Sequence, residues 1–469
     1  MILIHGLYIF FFILLKILTS PQIANAAEMS TSWIDQNINT GYALYPAGAN
    51  QKIISNSGGI FMTHVLNENG NQYTWRLSRS VNNGATFSTI TTQIGGTRAP
   101  TLLSNSSGWV YLLFPDWNTG HGRMWIYKPA DGYTNPVQIT IPNAGNGAGK
   151  FASAIDESKG KIYFFTGNYD GNFFILDLNG NIISTYRIVV PANNYSIMYP
   201  YLYVTRGGEL ILAWTSANVS DSCNRGPIFC THSSDGGQTW WSIGNEQLPL
   251  NMNADGSSGN NQVSLTSDNS AGDVWLSNMF VSDNYLFFHY YAANRGCGLD
   301  DGNILQRLIR YNLGSGKRDE FYGDSQNTTT DQSILMKDYV RSCTSVNEAG
   351  DIYCLTRNKK ANNKLAVIVS QDYGETWKSY ISSSIDQAGS FNLGSSLTAD
   401  GYFYGSTSNA PSSTNNVYFV KFPPRPAITP GDINGDGHVN LHDYNELVKD
   451  YGTKYTLFDY NNLVTNYEK

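Results

Sequence analysis

The sequence predicts an all-β body folded as a β-propeller, with a short α-helical appendage behind it. Three observations carry this prediction. A polar turn ending in Gly, followed by a short aromatic or β-branched strand, recurs between Gly59 and Gly401. Charged residues are only 14% of the 469, against 13% aromatic residues, with 45 Gly and 31 Tyr; short apolar strands joined by many turns have this composition. At Gly431 the pattern changes to acidic and amide side chains at alternate positions, and then to an apolar helical period.

The first element is the leader. An apolar run from Ile2 to Leu18, broken by His5, Gly6 and Lys16, precedes the small-residue stretch Ala24-Asn25-Ala26. This reads as a secretory signal peptide over residues 1–27, cleaved near Ala26 or Ala27, with an uncleaved anchor as the alternative. No second apolar span follows, so the expected mature protein is secreted or held at the cell surface, with no membrane segment. A net charge of −7 disfavours nucleic acid, which selects a basic face.

Residues 28–422 form the body. The turn-strand theme appears as NSGGIFMTHV, NSSGWVYLLF, ESKGKIYFFTG, TRGGELILAW, NEAGDIYCLTR and TADGYFYGSTS, and as SDNYLFFHYY with Asn284 in the Gly place. Seven units give about 56 residues each, the length of a four-stranded blade. Radial repetition of this kind protects sheet edges. Six blades also fit, because two of the units are widely spaced. A second signal repeats three times: SVNNGATF from Ser80, SSDGGQTW from Ser233 and SQDYGETW from Ser370. The Asp or Asn caps a tight turn, Gly supplies a left-handed residue, and the aromatic packs between sheets. Asp235 and Asp372 are therefore expected to be structural. The motif resembles the Asp box of BNR propellers, the repeat of sialidases and their relatives.

The cysteines suggest two oxidised pairs. Cys343 and Cys354 flank the NEAG turn symmetrically, and Cys223 and Cys230 stand close together, which leaves Cys297. The stretch FPPRPAITP, with four prolines, reads as a stiff linker over residues 423–430.

Residues 431–469 make the appendage. With Asp432 as position 1, Asn434, Asp436, Asn440 and Asp443 fall at positions 3, 5, 9 and 12, and Gly437 at the sharp turn. This is the oxygen pattern that a Ca²⁺ ion takes from an EF-hand-like loop, with His438 contributing its backbone carbonyl. The loop resembles the dockerin module of polysaccharide-degrading enzymes. DYNELV at Asp443 is echoed by DYNNLV at Asp459, but the loop before the second helix has Val448, Gly452 and Thr453 at positions 1, 5 and 6. One Ca²⁺ site is expected. The resemblance implies a cohesin-like protein as a possible partner.

For chemistry, the stretch from Tyr199 (YPYLYVTRGGELILAWT) and that from Thr97 (TRAPTLLSNSSGWVYLLFPDWNTGHGRMWIY) resemble the BNR-4 branch, which includes ulvan-lyase-like polysaccharide lyases. The resemblance implies β-elimination beside a uronate carboxylate, with Tyr199 as acid/base and His121 as its partner. The Arg it implies after Trp214 is Thr215 here. Arg98 is the third candidate. Its TRAP element also resembles the Arg-Ile-Pro element of sialidases, which implies Arg98 gripping a sialate carboxylate and Asp116 as acid/base, with Arg225, Arg295, Arg307 and Arg341 as possible further arginines. A propeller that binds a polysaccharide or other glycan without catalysis is the third reading.

Overall fold

The computed structural model describes residues 28–467, apart from residues 39, 41–42, 45–50, 70–71, 95–97, 117, 146–149, 221–224, 260–261, 265–271, 283, 295–303, 314–317, 323–342, 348, 359–360, 362, 387, 395–396, 410–414, 426–430, 434–438 and 453–454. The signal-peptide reading, Cys223 and Cys297 all lie outside the described residues. The chain divides into two compact units, Met29–Phe422 and one that takes in residues 423–469.

Among the described residues, the first unit contains seven antiparallel sheets in sequence order, six of four strands and one of five. It is a seven-bladed β-propeller. Blades 1 to 6 span residues 53–94, 101–141, 151–187, 195–248, 272–322 and 343–382. Blade 7 combines residues 388–422 with the strand Ser30–Ile38, which is laid along Asn415–Phe422 with Ser30 opposite Lys421 and Ile38 opposite Asn415. Each recurring polar turn of the sequence falls between the first and second strands of a blade, from Asn56–Gly59 in blade 1 to Thr398–Gly401 in blade 7. From blade 1 through blade 7 the first strand of each blade neighbours the first strand of the next, and the Lys52–Asn392 hydrogen bond joins blade 1 to blade 7, so these seven strands surround the centre.

Burial follows from this layout. The second strands of blades 2 and 4, Val110–Asp116 and Leu210–Asn218, are buried on both faces along nearly their whole length. Their side chains form layers between blades rather than one central core. One layer joins Trp75, Phe114 and Trp125 of blades 1 and 2, and another joins Tyr163, Phe173, Trp214 and Trp240 of blades 3 and 4.

The three Ser-x-Asp/Asn-x-Gly turns link the third and fourth strands of blades 1, 4 and 6. All three share one geometry. Ser233 Oγ donates to Asp235 Oδ1 at 2.8 Å and accepts the Gly237 N–H at 2.8 Å, and Asp235 also accepts the Thr239 N–H and hydroxyl. Asp372 repeats all of these bonds, and Asn82 repeats all but the last, its amide instead donating to Thr86 Oγ1 at 2.9 Å. The second Gly of the turn is left-handed, φ +94° at Gly237. A Cβ there would stand 2.6 Å from Phe173 of the preceding blade, so glycine is required by both conformation and space. The corresponding contacts are Gly84 with Phe419 and Gly374 with Leu308. These turns therefore hold each blade against its predecessor.

The strand register does not set Cys343 and Cys354 level with each other, and Cys223 lies outside the described residues. Cys230 is a buried free thiol in the strand Arg225–Ser233. The register sets Cys354 opposite Thr344, and Cys343 opposite Leu355. Symmetry about a turn is not enough, because facing pairs need the strand register to bring them level.

In the second unit, α1 (Leu441–Lys449) and α2 (Leu457–Asn466) pack around Val439, Leu447 and Leu463. Each starts with a capping box, Asn440 with Asp443 and Thr456 with Asp459, which satisfies backbone donors that have no partner inside the helix.

Candidate functional site

In a propeller whose inner strands are all parallel, their first residues gather at one rim of the channel. Lys52 stands directly ahead of the inner strand Ile53–Asn56, Arg98 ahead of Thr101–Ser104, and Lys150 ahead of Phe151–Asp156. Tyr199 lies within the inner strand Tyr195–Val204 of blade 4. Blades 1 to 4 thus contribute three cations and a tyrosine in succession. His121 opens the third strand of blade 2, opposite Asp116, at the end of the blade where the inner strand begins.

Tyr199 has φ +48° at a bulge, where the register with the next strand shifts between Met198 and Tyr201. A left-handed aromatic residue inside a strand is strained, and such strain collects at functional sites. The ring is 6% exposed. The Lys150 ammonium lies 4.5 Å from its centroid, and the Trp275 ring lies 6.2 Å away. The Arg225 guanidinium covers Trp275 in turn, at 4.5 Å. Cations over aromatic faces are favourable, more so when removed from water.

Lys52 is buried and bridges blades. Its backbone N–H donates to Asn392 Oδ1 at 3.0 Å, and its ammonium donates to the carbonyls of Ala99 and Pro100. It also lies 5.6 Å from the Phe151 ring. Burial, with the Arg98 charge nearby, pushes its ammonium down to about 7. Arg98 rests on the Tyr73 ring at 5.4 Å.

The His121 ring is half-buried, and its Nδ1 accepts the Asn143 N–H at 3.4 Å. That bond assigns the proton to Nε2. Asp116 is clamped: Arg123 donates Nε and Nη2 to Oδ2 at 3.2 and 3.0 Å, and the Asn118 N–H meets Oδ1 at 3.1 Å. Thr215, in the place of the implied Arg, is fully buried and accepts the Leu276 N–H at 3.0 Å, joining blades 4 and 5.

Two residues at this rim escaped the sequence reading, Lys52 and Lys150. A signal was present: QKIIS and GKFAS both place a Lys directly before an inner strand whose third residue is Ser. Of the calcium candidates, Asn434, Asp436 and His438 lie outside the described residues. Asp432 and Asp443 are buried, at 7% and 0% exposed, and Asn440 caps α1 by accepting the His442 N–H.

No family model matches the chain, and no curated protein matches its sequence. Solved structures do match. One titled as a new family of polysaccharide lyase, PL25 ulvan lyase, superposes with a TM-score of 0.59 at 13% identity, covering 83% of this chain and 95% of its own. The two share a fold. The ulvan lyase bound to -[GlcA(1-4)Rha3S]- matches at 0.55 and 12% identity, over 84% of this chain and 94% of its own. A Trypanosoma rangeli sialidase reaches 0.43 at 11% identity, over 84% of this chain and 59% of its own, too loose to bear on function. At such identities the ulvan lyase likeness speaks for the propeller alone.

Proposed function

We propose that the propeller binds an anionic, uronate-containing extracellular polysaccharide at the rim where its inner strands begin, and cleaves it by β-elimination. The observation that carries this reading is the strained Tyr199 with the Lys150 ammonium on its ring. Elimination beside a carboxylate needs positive charge on that carboxylate, a base for the α-proton and an acid for the leaving oxygen. Lys150 and Arg98 supply the charge that Thr215 cannot. Tyr199 and His121 are the groups that move protons, His121 with its proton on Nε2. The ulvan lyase fold and the bound uronate of its relative agree with this class of substrate. The clamping of Asp116 by Arg123 counts against a sialidase-type acid/base there. The burial of Tyr199 favours a second reading, glycan binding without turnover.

Incubation with a panel of uronate polysaccharides distinguishes these readings. Lyase action produces an unsaturated, ultraviolet-absorbing end, and Tyr199→Phe and Lys150→Met should each lower kcat/KM by about 100-fold or more. New reducing ends without absorbance would make the protein a hydrolase. Retention on immobilised polymer with neither product would leave binding alone.

For the tail we propose one Ca²⁺ ion held by Asp432, Asn434, Asp436, the His438 carbonyl, Asn440 and Asp443, in a truncated dockerin-like module of an exported protein. Asp432 and Asp443, the first and last positions of the loop, are both buried carboxylates, at the positions where a Ca²⁺ loop supplies side-chain oxygens. A cohesin-like partner would meet two matching exposed stripes: Leu441, Tyr444, Val448 and Tyr451, then Leu457, Tyr460, Val464 and Tyr467. Calorimetry of the chelator-treated full chain should show one Ca²⁺ site, lost in Asp436→Ala; two sites or none would refute the assignment. Cohesin-like capture should be lost in Tyr444→Asp combined with Tyr460→Asp.

A further inference from the structure

We propose that Tyr169 and Arg187 form a further subsite for the polysaccharide, one that takes an acidic sugar unit beside the unit held at Tyr199. Tyr169 sits in the loop of residues 167–171, which joins the second and third strands of blade 3. This loop is stapled to the candidate site. The Gly167 N–H donates to the Lys150 carbonyl at 2.6 Å, and Asn168 and Ile197 exchange backbone hydrogen bonds at 2.6 and 2.8 Å. Ile197 stands two residues ahead of Tyr199, about 7 Å along a strand. A polymer lying across Tyr199 towards blade 3 therefore meets Tyr169. The far side of the loop is braced as well. The Gly171 carbonyl accepts the Ile188 N–H at 3.0 Å. Arg187 completes the clamp, its Nε donating to the Asp170 carbonyl at 2.9 Å and its Nη2 to the Tyr169 carbonyl at 3.1 Å.

On this braced backbone the Tyr169 side chain is 54% exposed, and among the described residues no ring or cation stacks on it. Single exposed aromatics are common on protein surfaces; the bracing and the neighbouring cation set this one apart. A pyranose stacks its apolar face on such a ring, and little entropy is lost because only two side-chain torsions become fixed. Charge sets the class of sugar. Arg187 is exposed at the end of the outermost strand of blade 3. Two of its five N–H groups hold the loop, and among the described residues it forms no ion pair. The Asp170 carboxylate lies against Gly145, in the connection from blade 2. Arg187 thus carries the positive run of Arg98 and Lys150 outward from the channel. An anionic substituent, carboxylate or sulfate ester, answers its remaining donors. The inference rests on the reading of the rim as a polysaccharide site.

The test titrates the full chain calorimetrically with polygalacturonate and hyaluronan, which carry carboxylates, with chondroitin sulfate, which adds sulfate esters, and with neutral galactomannan. At least one anionic polymer should bind. Tyr169→Ala should weaken that binding about fivefold or more, and Tyr169→Phe, which keeps the ring, by less than about twofold. Arg187→Gln should weaken it about threefold or more near 0.02 M salt and by less near 0.5 M. A larger loss with chondroitin sulfate than with the other two would assign the sulfate ester, and the reverse the carboxylate. Unchanged binding in Tyr169→Ala would overturn the proposal. So would an Arg187→Gln effect independent of salt, which would make Arg187 a brace alone, or equal binding of galactomannan. Binding lost in Lys150→Met but unchanged in Tyr169→Ala would overturn this subsite alone, whereas no binding by the wild type would overturn the rim reading with it. If Tyr169→Ala weakens binding while Lys150→Met does not and no polymer is cleaved, the subsite stands and the rim chemistry alone fails.

Discussion

Lys52 shows how a single residue can set a pH response. Its ammonium is buried among carbonyls and pushed down to about 7, by burial first and the Arg98 charge second. In the unfolded chain the same group holds its proton to about pH 10.4. Between these values the unfolded state binds more protons, so stability rises as pH increases from 7 towards 10. Lys52→Met should remove this slope. Melting curves at pH 7 and pH 9 should separate for the wild type by about 2–5 °C more than for the variant. Equal separations would mean that Lys52 is not titrating there. Tyr199 and Arg98 could be picked out in the sequence only through resemblance. Their cation neighbours come from other blades, some fifty residues away, and such contacts leave no local trace. The sequence could not foresee that Asp116 is held by Arg123, because that pairing depends on the register across a hairpin.

Among the elements, the Ser-x-Asp-x-Gly turns were legible because their hydrogen bonds close within five residues. In Asp235, burial alone would raise the carboxyl, but the bonds from Thr239, Ser233 and Gln238 outweigh it and hold it down to about 2. Its contribution is full above the ordinary carboxylate range and fades as pH falls through that range towards 2. Asp235→Ala should cost about 1–2 kcal/mol without selective loss of glycan binding. Asp235→Asn should cost less and flatten the acid limb of the stability curve, since Asn82 already makes the same turn with an amide. An Asn variant as unstable as the Ala variant would refute this account. The register of the cysteine hairpin was not legible at the same scale: a turn's sequence places two strands side by side, but a one-residue offset decides which residues stand opposite each other.

At the scale of the molecule, blade number was readable from the repeated turns, since each blade needs one such turn at a fixed place. Which blades supply the site was not readable, because the repeats look alike and only ring geometry brings their ends together. That ring also has a seam. Blade 7 is completed by Ser30–Ile38 against Asn415–Phe422, so the earliest described strand waits for the last described strand of the propeller. Asp35 on this strand reaches across to His64 at 3.0 Å and to Arg76, both in blade 1. During synthesis, six blades can assemble in turn as each emerges, at about 5–20 residues per second. The circle itself stays open until residues near 420 have left the ribosome. Closure then joins segments almost four hundred positions apart in one late step, with the loop entropy already reduced by the blades between them. Stalled chains ending before residue 410 should therefore be cut by protease within residues 30–38, whereas chains stalled well past 422 should resist. Equal resistance in both would place the closing step earlier than this geometry requires.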